Sequence, residues 1–177
     1  MASLTQRMIG AATLRVATYE EVEAASDATT EAMAVVLLAS AAFGIGTLGL
    51  GRFDLSQLLL GMVIALVQWI AWAFLTYLIG TRILPESQTE ADVGQLLRTI
   101  GFAASPGILR VLMIVPGMAV PVLAVTQIWM LVAMVVGVRQ ALDYSSTARA
   151  VAVCLVGFVL SLGMAIVIGV VFAPTVS

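Results

Sequence analysis

The sequence predicts an all-α membrane protein, a polytopic bundle of five transmembrane helices with a short amphipathic helix ahead of them. Of the 177 residues, 62% are hydrophobic and 10% are charged, whereas soluble domains carry about 25% charged residues. The mean hydropathy is +1.12. Apolar stretches without charge recur along the chain, most of them near the about 20 residues that a helix needs to cross a bilayer. The predicted spans are residues 33–51, 55–79, 96–115, 118–138 and 150–173.

The first 32 residues form a separate cytoplasmic segment ahead of the membrane domain, residues 33–177. Its apolar residues recur at helical spacing, which predicts an amphipathic helix lying on the membrane surface: Leu4, Met8, Ile9, Ala12 and Val16. A partly disordered tail is the alternative. The segment is not a cleavable signal peptide, because Arg7, Arg15 and the acids after Tyr19 interrupt its apolar runs.

The third span allows two interpretations. It is short, and Ser105-Pro106-Gly107 and Arg110 interrupt it. A proline inside a helix frees a backbone carbonyl and bends the chain, so we expect either a short, kinked crossing or a re-entrant hairpin. We favour the crossing, because residues 93–97 can extend the helix.

The arginines orient the bundle. With five spans and the N-terminus in the cytoplasm, only Arg52 and Arg110 lie outside, and six lie inside: Arg7, Arg15, Arg82, Arg98, Arg139 and Arg149. This satisfies the positive-inside rule and places the C-terminus outside. A re-entrant third segment would move Arg139 and Arg149 outside and leave four arginines on each side of the membrane.

The last span carries a stripe of small residues. They recur at every fourth position and so share one face: Gly157, Ser161, Ala165, Gly169 and Ala173. Small side chains let another helix approach closely in lipid. We expect a packing seam, whose partner is another span, a second copy or a different protein.

Three polar residues lie within apolar stretches. Gln68 and Gln127 are expected to face the bundle interior and form hydrogen bonds, because an unpaired amide is costly in hydrocarbon. Arg110 either extends to the outer headgroups or pairs with Asp54, the only acid expected on that side.

The cytoplasmic face carries most of the charge. The acids before the first span are expected to fold back onto the arginines of the loops, although a solvated charged rim is equally compatible with the pattern. The residues of this charged face are Glu20, Glu21, Glu23, Asp27, Arg82, Arg98, Arg139, Asp143 and Arg149.

Composition excludes several kinds of chemistry. There is no His, there is one Cys, and all eight basic residues are Arg. This argues against Ser-His and Cys-His nucleophiles, Schiff-base lysines and the common metal sites. The net charge of −2 suggests no nucleic-acid partner. We therefore expect a protein that is not an enzyme and that binds no cofactor and no metal.

Three stretches together resemble a known family. They are Tyr19-Glu20-Glu21-Val22-Glu23, then Gly101-Phe102 with Ser105-Pro106-Gly107, then the segment 139–150 after Trp129. The chain resembles the bacterial branch of the Yip family, whose eukaryotic relatives are five-span proteins that interact with Rab/Ypt GTPases. The resemblance implies a multi-pass protein of the bacterial inner membrane. The GTPase partner is not carried over, because bacteria lack that cycle.

The functional expectation is a non-enzymatic scaffold, assembly factor or accessory subunit of a membrane complex. Its partners would be the lipid bilayer and other membrane proteins, or further copies of itself. The alternative is a passive channel or a lipid or small-molecule transporter that uses the broken third helix, with Arg110, Gln68 and Gln127 lining the path. Proton-coupled transport is disfavoured, because no charged residue lies at the centre of the other four spans.

Overall fold

The computed structural model describes residues 2–163 in full and residues 164–172 as backbone helix. The described chain contains seven α-helices: α1 (Leu4–Ala12), α2 (Val16–Ala24), α3 (Ala28–Gly46), α4 (Leu55–Leu78), α5 (Val93–Ala103), α6 (Ala119–Ala141) and α7 (Thr147–Phe172). Short 3-10 helices follow α3 (Thr47–Leu50) and α5 (Ser105–Ile114), and one π-helical turn (Ile79–Ile83) extends α4. Within the described residues there is no β-strand.

Side-chain caps start several of the helices. Ser3 and Gln6 form a reciprocal capping box at the start of α1, and Asp92 and Gln95 do the same for α5. Asp54 accepts hydrogen bonds from the first backbone N–H groups of α4. These caps satisfy N–H groups that have no partner inside the helix.

Four helical segments are long and apolar enough to cross a membrane: Ala28–Leu50, Leu55–Ile83, Val93–Ile114 and Ala119–Ala141. The first starts five residues before the predicted boundary at residue 33, because α3 begins at Ala28. The fifth predicted span lies in α7, whose side chains are described only as far as Gly163. The crossing by α7 therefore stays a prediction.

The third span changes its helix type in the middle. α5 ends at Ala103, and the 3-10 helix Ser105–Ile114 continues the chain. Pro106 lies in the first turn of this 3-10 helix, where its missing N–H is not needed. The 3-10 helix packs so closely on α3 that a Cβ at Gly46 would collide with the carbonyl oxygen of Arg110.

The third span is also the centre of the bundle. Just over half of it, 56%, is buried, compared with 11% for Leu55–Ile83. α5 contacts α2, α3, α4 and α6. Its side chains Leu96 and Phe102 are fully buried, together with Tyr19 from α2 and Val138 from α6. The other long helices expose apolar faces, as expected of surfaces that contact lipid.

The N-terminal helices differ from the surface helix that the sequence predicts. α1 and α2 form a hairpin whose tip is at Leu14 in the left-handed conformation (φ 60°). The Nε1 of Trp129, in the middle of α6, donates a hydrogen bond to the carbonyl oxygen of Ala12 at 2.6 Å. α1 buries Arg7 and exposes Ile9. The face of α1 that packs on the protein therefore includes Arg7 as well as the apolar Leu4 and Met8, whereas Ile9 faces outward. Its position on the membrane surface stays a prediction.

Candidate functional site

We call the polar end of the bundle the end that carries α2, the start of α5 and the loops 84–92 and 142–146. Arg98 of α5 is its central side chain and is only 8% exposed. Its Nε donates to the carbonyl oxygens of Val22 and Glu23, both at 3.0 Å. These oxygens lie in the last turn of α2, where carbonyls lack helical partners. The acidic segment before the first span therefore folds back onto an arginine, as expected. It binds Arg98 through its backbone carbonyl oxygens instead of its carboxylates.

The Glu23 side chain lies beside this contact. Its Oε1 accepts a hydrogen bond from the Gln95 side-chain amide at 3.1 Å. Burial, together with the nearby carboxylates of Asp143 and Glu20, raises the pKa of Glu23 to about 7, although Arg98 opposes the shift. Glu23 is therefore a carboxyl group that titrates near neutral pH.

Glu86 joins the two loops of the polar end. Its carboxylate accepts hydrogen bonds from the backbone N–H and the hydroxyl of Ser145, at 2.9 and 2.7 Å. Arg149 completes the group with an ion pair to Glu86 at 3.4 Å. The hydrogen bonds from Ser145 hold the pKa of Glu86 below its usual value.

Tyr144 joins the loop 142–146 to the end of the extended α4 helix. It is buried, and its hydroxyl donates to the carbonyl oxygens of Gly80 and Leu84 at 3.0 and 2.7 Å. Between the loops lies a polar cavity of about 270 Å³, lined by Gln88, Arg139, Gln140, Asp143, Tyr144 and Ser145. The polar end thus combines two loops held by hydrogen bonds with an open polar cavity.

The other predicted charged residues have different partners. Glu20 accepts a hydrogen bond from Gln140 at 3.2 Å. Arg139 donates to the carbonyl oxygens of Tyr144 and Ser145 and forms no ion pair within the described residues. Asp27 and Arg82 are exposed.

Arg7 is the important polar-end residue that sequence reasoning missed. It is 4% exposed and forms ion pairs with Glu21 at 3.0 Å and Glu31 at 2.8 Å. These contacts join α1, α2 and α3. The periodicity of α1 places Arg7 away from its apolar residues, and no signal in the sequence shows that Arg7 faces the bundle.

At the opposite end of the third span, Arg110 does not meet Asp54. Its Nη2 donates to the Gln127 side-chain oxygen at 2.8 Å, and its Nε donates to the Thr126 hydroxyl at 3.3 Å. Asp54 instead caps α4 through Ser56 and Gln57. The predicted ion pair is therefore wrong.

Whether Arg110 reaches the outer headgroups stays a prediction. Its acceptor Gln127 lies eight positions into α6, which begins at Ala119, or about 12 Å along the helix at about 1.5 Å per residue. The guanidinium carbon also lies 5.8 Å from the centre of the Phe43 ring. Both contacts lie within the length of the apolar helices, and the side chain is half-buried.

The two glutamines are not in the bundle interior. Gln68 is exposed on α4, and Gln127 is exposed on α6 beside Arg110. Besides Arg98, the buried polar residues described in the spans carry hydroxyls: Ser105, Thr76, Thr99 and Thr126. Each of the three threonines donates its hydroxyl to a carbonyl one turn back in its own helix. A threonine can satisfy itself in this way without a partner helix. The expected interior position is therefore wrong for both glutamines, although Gln127 does form an interhelical hydrogen bond, with Arg110.

The small-residue stripe of α7 is described only in part. Gly157 is buried, and a Cβ there would lie 3.3 Å from the Trp72 ring and 3.6 Å from Ile79, both from the extended α4 helix. Ser161 is half-buried. The side chains of Ala165 and Gly169, and the whole of Ala173, lie outside the described residues.

Comparison with known proteins gave one match. A family model described as the Yip1 domain matches residues 13–168, which includes every residue of the polar end as defined above and leaves α1 outside. Searches of curated proteins and of solved structures found no match.

Proposed function

The chain belongs to the Yip1 domain family, and from this premise we propose that it is a scaffold, assembly factor or accessory subunit of a membrane complex. In this proposal it acts without catalysis and binds its protein partners at the polar end. The chain is a multi-pass membrane protein with several apolar helices. We further propose that the polar end faces the cytoplasm of a bacterium, with the C-terminus outside, because six of the arginines then lie inside.

One observation supports the polar end as the binding surface. Two of the three stretches that carry the family resemblance meet there: residues 139–145 supply most of the lining of the cavity of about 270 Å³, and Gln140 donates a hydrogen bond to Glu20 of the stretch Tyr19–Glu23. Hydrogen bonds of Tyr144 and Glu86 hold the loops around this cavity in place, so the cavity has its shape before a partner binds. A preorganised surface loses little conformational freedom on binding. The cavity suits a polar or charged segment of a partner protein.

Photo-crosslinking in native membranes tests this proposal. A benzophenone amino acid at Gln88, on the rim of the cavity, is expected to form a defined adduct with a partner protein. The matched control places the same amino acid at Leu131, which is 45% exposed on the apolar face of α6. Adducts that are the same at both positions, or no adduct at Gln88, would contradict the proposal.

A substitution sharpens the same experiment. Asp143 lines the cavity and has a left-handed backbone (φ 52°), which asparagine tolerates. Asp143→Asn should therefore preserve the loop and remove one charge from the binding surface. We expect it to weaken the Gln88 adduct while the melting temperature stays unchanged.

A second candidate function is a passive channel or a lipid or small-molecule transporter. The change of helix type at Ser105 and the unneutralised Arg110 favour it, because broken helices form binding sites in transporters. Liposome flux that falls on Arg110→Gln would support this candidate. Flux equal to that of empty liposomes would eliminate it.

We also propose that the small-residue stripe of α7 packs against another helix of the same chain, since Gly157 packs on Trp72 of the extended α4 helix. Gly157→Leu is expected to lower the free energy of unfolding by about 1–3 kcal/mol through overpacking, with no change in oligomeric size. A change in size at constant melting temperature would assign the stripe to self-association instead.

A further inference from the structure

Arg110 is a charged group bound only to neutral oxygens. It donates to Thr126 and Gln127, and no acidic side chain forms an ion pair with it within the described residues. A guanidinium has more N–H donors than these two contacts use. The guanidinium carbon lies 5.8 Å from the centre of the Phe43 ring, and an aromatic face attracts a cation but neutralises no charge.

Within the described residues, no acidic side chain forms an ion pair with Arg110. Of the ten acidic residues, only Asp54 lies at this end of the bundle, and its Oδ1 accepts hydrogen bonds from Ser56 and Gln57 at the start of α4. Residues 164–177 contain neither Asp nor Glu. Because an ionised group in hydrocarbon is costly without a partner, Arg110 calls for an anion that the described residues do not supply.

The surroundings define what kind of anion can reach Arg110. The side chains around it face outward from the bundle: Phe43 is 41% exposed, Leu112 is 47% exposed and Ile128 is 64% exposed. These apolar surfaces suit acyl chains. A ligand that approaches through them needs an apolar body and an anionic head.

A cavity of mixed polarity next to Phe43 offers headgroups a route toward this depth. It has a volume of about 140 Å³ and lies between α3 and α4. Its lining includes Ser40, Thr47 and Gln57, and it reaches the oppositely charged loop residues Arg52 and Asp54. Polar groups at this position favour local thinning of the bilayer, which brings phosphates closer to a deep arginine.

We propose that Arg110, with Thr126 and Gln127, binds the phosphate of an anionic phospholipid in the leaflet opposite the polar end. The guanidinium binds phosphate oxygens through its free N–H groups, as arginines do at phosphate sites. The Gln127 amide supplies a further donor, while its oxygen holds Arg110 in place. The lipid then serves as the missing counter-charge.

Lipid binding by the purified full-length chain tests the proposal. In detergent, added phosphatidylglycerol is expected to raise the melting temperature, whereas phosphatidylcholine and inorganic phosphate are not. Arg110→Gln should weaken the phosphatidylglycerol response at least tenfold in half-saturating concentration. The matched control is Arg82→Gln, an exposed arginine at the polar end, which should respond like the unchanged protein.

Three results would overturn the proposal. They are an equal response of Arg110→Gln to phosphatidylglycerol, an equal effect of phosphatidylcholine, or a full effect of inorganic phosphate alone, which would indicate a free-anion site. If Arg110→Gln fails to fold, Arg110→Lys replaces it. Lysine keeps the charge without the planar donors, so phosphatidylglycerol binding should weaken several-fold, and undiminished binding would again overturn the proposal.

Discussion

The third span carries two arginines that bind neutral oxygens, and they show how surroundings decide the role of one residue type. Arg98 is 8% exposed and donates to backbone carbonyls of α2. Arg110 is half-buried, beside side chains that face lipid. Around Arg98 the protein closes and uses the charge to fix its own backbone. Around Arg110 it stays open, so the charge remains available to a ligand.

Removing Arg98 should have the largest effect. Arg98→Ala leaves carbonyl oxygens at the end of α2 without donors, and we expect the free energy of unfolding to fall by about 3 kcal/mol. The measurement is thermal unfolding in detergent, together with protease sensitivity of residues 1–25. Arg82→Ala, on an exposed side chain, is the control. If both variants lose the same stability, the buried contact of Arg98 is not special.

The second-largest loss of stability is expected where α3 closely approaches the backbone of Arg110. Gly46→Ala places a Cβ against the Arg110 carbonyl, and we expect a loss of about 1–3 kcal/mol from overpacking. The matched control is Gly61→Ala in α4, where a Cβ meets no described atom within 4 Å. This control should keep or slightly raise the melting temperature, since alanine favours helix over glycine. Equal losses would show that the two helices can move apart.

Glu23 makes the stability of the polar end depend on pH. Its pKa rises from 4.5 to about 7 in the folded protein, so the folded state binds more protons than the unfolded state between these values. Stability contributed by protonated Glu23 is therefore lost as pH rises from about 4.5 to 7. Glu23→Gln should flatten the dependence of melting temperature on pH over this range. An unchanged slope would mean that Glu23 does not titrate there.

The smallest effect concerns the pair that does not form. Because Arg110 and Asp54 have separate partners, the stability changes of Arg110→Ala and Asp54→Ala should add to within about 0.5 kcal/mol. The Arg110→Ala and Gln127→Ala changes, in contrast, should not be additive. Non-additivity of Arg110 with Asp54 and additivity with Gln127 would reverse the assignment.

Several features of the fold followed from local patterns in the sequence. Four of the predicted spans fall on long apolar helices, with ends shifted by a few residues. The break at Ser105-Pro106-Gly107 falls where α5 gives way to the 3-10 helix. The family resemblance, quoted from short motifs, agrees with the family model over residues 13–168. Each of these features depends on neighbouring residues alone.

The partners of the polar groups could not be predicted in the same way. Arg110 binds Gln127 instead of Asp54, and Arg98 binds backbone oxygens instead of carboxylates. Arg7 of α1 forms a buried ion pair with Glu31 of α3. Charge matching finds acids and bases, but it does not consider carbonyls and amides, which are equally good acceptors for a guanidinium.

By itself, the sequence determined that the chain is a helical membrane protein without histidine or lysine, because hydropathy and composition are sums over residues that need no coordinates. Only the tertiary structure decided that α1 turns Arg7 inward, that Gln68 faces outward, and that the two arginines of the third span have opposite surroundings. The reason is physical. In a bilayer the outside of the bundle is as apolar as its core, so the pattern along a helix cannot show which side faces the protein.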